Sequence, residues 1–192
     1  MIPNNTLSTQ QVPSAFVEPV NRRTVPLKDY GRGGRALQDG SEGINVQLWT
    51  VEVIGNDVWL SAENVAPFIY FSRAGITEVA LAFDQNMVAY IAFVQGGTAW
   101  LYWFDTAVNA MVFSAFPGMV TPRLVNDEKR AVQANNSDVI LAYVSGNNLC
   151  FRAQRERFQT EHVLKTAVGG TLVAVGMNRG NRLQFRVRPT PP

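Results

Sequence analysis

At 192 residues the chain can bury one ordinary core, and its single cysteine, Cys150, excludes an internal disulfide. Hydrophobic side chains make up 46% and the formal net charge is +2, a balance that excludes both a disordered polyelectrolyte and a uniformly basic nucleic-acid binder. The charge is uneven along the chain: +1 over residues 1–45, −5 over 46–149 and +6 over 150–192.

The first residues, Met1 to Ser8, have neither the basic start nor the apolar stretch of a secretory signal. No run of about 18 apolar residues follows, so a soluble protein without a membrane partner is expected. Residues 1–45 carry Pro3, Pro13, Pro19 and Pro26, then Asp29-Tyr30-Gly31-Arg32-Gly33-Gly34-Arg35, with no sustained period. This composition predicts an extended arm or linker, with apolar anchors such as Phe16 and Val17 resting on its own domain or a neighbouring subunit. Gly31-Arg32-Gly33-Gly34 matches no phosphate-binding loop, because strand, helix and glycine spacing are wrong for one, and it reads as a flexible joint.

From 46 to 192 the pattern is strand after strand. Val51–Ile54 turns at Gly55-Asn56 into Val58–Leu60, and Thr77–Phe83, Met87–Phe93, Ala99–Phe104 and Ala110–Ser114 follow as four strands separated by turn residues. A second series of Arg130–Ala134, Asp138–Val144, Leu149–Ala153 and Thr160–Leu164 repeats it, and Val173–Val175 with Leu183–Phe185 ends the chain as a fourth hairpin. The hairpin glycines Gly55, Gly97, Gly146 and Gly180 are 42, 49 and 34 residues apart. An all-β domain of repeated antiparallel hairpins, propeller-like or a β-sandwich, preceded by the arm, is the expected fold. The first unit has no clear inner strand and the last is partial.

Chemistry-bearing residues are sparse. His162 is the only histidine, so Cys150 with His162 makes a thin nucleophile-base pair and no spaced metal-ligand set, and no cofactor is expected. Asp57, Asp84, Asp105 and Asp138 fall at turns, where aspartate bonds nearby backbone, and no pair among the carboxylates stands out for glycoside hydrolysis. Trp100, Tyr102, Trp103 and Phe104 form the densest aromatic cluster, with alternate members predicted to be core and an interface between sheets or subunits. A carbohydrate or receptor-binding surface there, around Trp103, is the alternative reading. Arg152, Arg186 and Arg188 stand at alternate strand positions and predict the wet face of a sheet backed by Phe151, Leu183, Phe185 and Val187, which argues against nucleic acid and leaves a charged protein interface open. Tyr30, in the arm, completes the candidate interface set of Phe16, Val17, Tyr30, Trp103, Arg152, Arg186 and Arg188.

The proline- and glycine-bearing arm joined to a helix-poor repeat resembles structural proteins of tailed bacteriophage virions, particularly tail components with propeller-like β domains such as the nozzle proteins of short-tailed phages. The likeness lies in the style of residues 1–45 and 46–189 and in no single motif, and nozzle proteins are usually much longer. It implies a non-enzymatic protein located in the virion, present in several copies, whose partners are other virion proteins and copies of itself.

Overall fold

The computed structural model describes residues 28–36, 44–84, 87–126, 138–177 and 182–189. Within them the chain forms fourteen strands and one short 3-10 turn, Gln154–Glu156. Strands β1 (Lys28–Ala36), β2 (Ile44–Ile54), β3 (Asp57–Ala62) and β4 (Val65–Ser72) make a first sheet, with each strand paired to its neighbours in sequence. Strands β5 (Ile76–Phe83), β6 (Ala89–Gln95), β7 (Thr98–Asp105) and β8 (Ala110–Phe116) make a second sheet in the same way. The third holds β9 (Met119–Asn126), β10 (Val139–Ser145), β11 (Asn148–Ala153) and β12 (His162–Lys165). Among the described residues the fourth holds β13 (Gly170–Met177) and β14 (Leu183–Pro189).

The turns explain the pairing. Ile54 pairs with Asp57, Gln95 with Thr98 and Ser145 with Asn148, so each of these hairpins closes on two residues. Such closure needs positive φ, and Gly55 (63°), Gly96 (56°), Gly97 (74°), Gly146 (51°) and Asn147 (71°) supply it. The fourth hairpin pairs Met177 with Leu183, and its turn lies outside the described residues.

The sheets stack face to face on three apolar seams. The first and second sheets share Val51, Val53, Val58, Leu60, Val79, Leu81, Ile91 and Phe93 with a chain of rings in which Phe71 meets Tyr102 at 4.5 Å. The second and third share Ala80, Tyr90, Leu101, Trp103, Leu141, Tyr143, Cys150 and Phe158. The third and fourth share Ile140, Val144, Leu149, Leu172 and Val175. Consequently β5, β6 and β7 of the second sheet are covered on both faces and read as nearly continuous apolar runs, while the edge strand β8 stays more exposed. Each fully buried Leu, Ile or Phe contributes roughly 1.5–3 kcal/mol.

The first strands of successive sheets lie side by side and are joined by side chains. Asp29 on β1 accepts a hydrogen bond from the Leu81 amide of β5 at 3.1 Å. Arg123 on β9 donates to Glu78 of β5 at 3.0 Å and to the Val173 carbonyl of β13 at 3.1 Å, and Asn126 donates to the Phe83 carbonyl at 2.7 Å. Gly31 allows a close approach between sheets: a Cβ there would stand 2.7 Å from Leu81 Cγ and 3.0 Å from its carbonyl oxygen.

Two expectations are corrected and others lie outside the described residues. The stretch read as a flexible joint is part of β1, so the first unit has four strands, and the arm expected over 1–45 gives 28–36 and the start of β2 to the sheet. The strand expected at Arg130–Ala134 lies outside the described residues, and Met119–Asn126 takes the first place in the third sheet. Arg152 belongs to the third sheet and faces the second, whereas Arg186 and Arg188 belong to the fourth, so the three do not form one wet face. Phe16 and Val17 lie outside the described residues.

Candidate functional site: an inter-sheet cleft and two end faces

The cleft opens between the second and third sheets, where the β8–β9 turn comes near β10 and β11. It has a volume of about 310 Å³ and is lined by Ser114 and Phe116 of the second sheet and by Met119, Tyr143, Arg152, Gln159 and Glu161 of the third sheet and its loop. Antiparallel register sets Leu141 opposite Arg152 and Tyr143 opposite Cys150, which brings Arg152 beside the Tyr143 hydroxyl. Arg152 Nε donates to that hydroxyl at 2.9 Å, and the hydroxyl donates to Glu161 Oε2 at 2.7 Å. One terminal nitrogen of Arg152 donates to the carbonyls of Phe158 and Gln159 at 3.0 and 2.5 Å, and the other lies 3.6 Å from Glu161. The guanidinium therefore works as an internal clamp, in contrast to the interface role expected of Arg152.

That clamp holds a plug. Arg157 and Phe158 take positive φ of 51° and 58°, which aims the Phe158 ring inward against Trp103 (5.5 Å between centroids) and Tyr90 (5.9 Å). Arg157 reaches back to Asp105 at 2.5 Å. Burial works against ionisation of Asp105, yet the Ala107 amide and the Arg157 guanidinium outweigh it and hold its carboxyl below the usual range.

The chemistry of these groups is protective. Burial, reinforced by the bond to Glu161, raises the Tyr143 phenol well above its usual value, and burial beside Glu161 raises the Cys150 thiol, so both keep their protons at neutral pH. Cys150 and His162 do not meet: Phe151, not Cys150, is paired with His162 and stacks on it at 4.7 Å, while the imidazole Nε2 engages Glu156 at 2.7 Å. That bond, first among its causes, lowers the Glu156 carboxyl. Aspartates at strand ends serve the backbone, Asp84 accepting from the Val88 amide, Asp105 from Ala107 and Asp138 from Arg155. Among the described residues no group of three or more His, Cys, Asp or Glu is placed to hold a metal ion. Nor is any helix among them long and apolar enough to cross a membrane.

The aromatic cluster is internal. Trp103 is 6% exposed and packs between the second and third sheets, so it offers no sugar platform. Trp100, on the opposite face, is half-buried beneath the Arg73 guanidinium, 4.2 Å from its ring.

Among the described residues, the outer faces of the two end sheets are uncovered. On the first sheet, alternation turns Asp29, Val51, Leu60 and Phe71 inward and leaves Lys28, Tyr30, Leu48, Glu52, Ile54, Trp59 and Ile69 on the outside. Leu48, Ile54 and Ile69 are 47%, 56% and 48% exposed. Tyr30, one of the expected interface residues, thus lies on an outer face. On the fourth sheet Leu172, Val175, Phe185 and Val187 face the third, and Arg182, Gln184, Arg186 and Arg188 are exposed. The apolar outer face was not anticipated from the sequence, although the alternation of Leu48, Thr50, Glu52 and Ile54 against Trp49, Val51 and Val53 carried the signal.

No protein-family model, curated protein or solved structure matches the chain.

Proposed function

We propose that this chain is a non-enzymatic structural component of a viral particle, a tail or tail-attachment protein that assembles as an oligomer through its end faces and N-terminal residues. In this reading the meander sheets are propeller-like blades, with β1, β5, β9 and β13 as their inner strands. The observation that carries it is the pair of open end faces, one with three large aliphatic side chains about half exposed and one bearing exposed arginines. Leu48, Ile54 and Ile69 with Trp59 give that sheet face apolar side chains that a protein partner could cover. The groups of the cleft support the same reading, since they bond one another rather than standing activated.

Mass spectrometry of gradient-purified particles of the encoding virus is expected to find the chain in a fixed ratio to the tail proteins, and in tails separated from heads. A chain expressed during infection yet absent from the particles would overturn the proposal.

A further inference from the structure

The seams inside the molecule share a device. Between the first and second sheets Arg73 lies on the Trp100 ring at 4.2 Å. Between the second and third, Arg123 pairs with Glu78 at 3.0 Å and Arg157 with Asp105 at 2.5 Å. Between the third and fourth, Arg123 reaches the Val173 carbonyl at 3.1 Å. At each seam a guanidinium bridges to an aromatic face, a carboxylate or a carbonyl, with apolar packing behind it.

The two outer faces hold the halves of one more such seam. On the fourth sheet Arg186 stands opposite Ala174 and Arg188 opposite Thr171, so small side chains leave the arginines standing over a flat surface. On the first sheet Glu52, Trp59 and Ile69 are cross-strand neighbours on β2, β3 and β4, offering a carboxylate, an indole and an aliphatic side chain in one row. Among the described side chains one face bears exposed arginines, and the other bears aliphatic and aromatic side chains with the Lys28–Glu52 pair among them. The fourth face is not self-complementary, since arginine against arginine repels, whereas on the first face Glu52 already has Lys28 beside it at 3.5 Å.

We infer that copies of the chain stack head to tail, the fourth sheet of one on the first sheet of the next, with Arg186 and Arg188 engaging the Glu52, Trp59 and Ile69 row. This rests on the reading of the chain as an assembling protein and adds the surfaces and the polarity. A contact between two different faces of identical chains generates a ring where the rotation closes and a filament where it does not.

The test is the mass of the purified full chain by analytical ultracentrifugation, with two face variants. Arg186→Glu/Arg188→Glu alters only the fourth sheet, and Leu48→Lys/Ile69→Lys alters only the first, all at exposed positions where folding, followed by circular dichroism, is expected to be kept. The unaltered chain is expected to form oligomers that weaken as salt rises, and each variant alone to sediment as a monomer. Mixing the two restores assembly, because one native contact survives in the mixture and the Glu and Lys faces complement each other. An unaltered chain that is monomeric, a variant that keeps the unaltered mass, or a mixture that stays monomeric overturns the inference. Retention of mass by the Arg variant alone would indicate a first-sheet-to-first-sheet dimer. These outcomes are independent of particle location: a chain found in virions but indifferent to both variants sinks the head-to-tail contact alone, and a chain that stacks but is absent from virions sinks the viral role alone.

Discussion

Gly31 shows how one missing side chain sets the distance between two sheets. Its Cβ would meet Leu81 Cγ at 2.7 Å and the Leu81 carbonyl at 3.0 Å, and the backbone oxygen cannot rotate away. Gly31→Ala is expected to destabilise the chain by about 1–3 kcal/mol, the usual cost of overpacking, read as a lower urea midpoint at unchanged slope. In sequence the same glycine reads as looseness, because glycine permits flexibility and close approach alike and only the neighbour decides which. Tyr70 offers a second test. Burial first, and Tyr102 beside it second, push its phenol from 10.0 up to about 12. A folded-state value above the unfolded one means that the contribution is fully present below pH 10 and is lost as pH rises toward about 12. Chemical denaturation across that window should show stability falling, and Tyr70→Phe should flatten the fall; an unchanged profile would show that other phenols carry it.

At the scale of elements, the strands of the second sheet were legible because each alternates between two apolar neighbours and ends at a turn residue, Asp84, Gly96-Gly97 or Asp105. Strand β9 was not. Met119-Val-Thr-Pro-Arg-Leu-Val-Asn contains a proline and a charge, and its pairing with β10 shifts register between Ala142 and Val144, so no clean period of two survives. Arg123 is 9% exposed because it joins three sheets, a role that only the tertiary arrangement reveals. The loop after β11 was equally hidden, since Phe158 turns inward through two successive positive-φ residues that are not glycine. Phe158→Ala is expected to cost about 3–5 kcal/mol, as for other large aromatic truncations in a core. Thermal unfolding of that variant gives the check, and a change below about 1 kcal/mol would mean that the surrounding rings close over the gap.

For the whole molecule, stability should grade from the centre outward. The second sheet has neighbours on both faces, while among the described residues the first and fourth each have a neighbour on one face. Amide exchange is therefore expected to be slowest in β6 and β7 and faster in β13 and β14, with uniform protection across all four sheets the contrary result. The all-β class followed from alternation and turns, but the open end faces required knowing which sheet abuts which. One property of the topology reaches back to synthesis. Among the described residues every hydrogen-bonded ladder joins strands adjacent in sequence, and every seam joins a sheet to the one before it. None of these strands has to wait for a distant partner as the polypeptide leaves the ribosome, so each meander can close on itself and then roof the one already made.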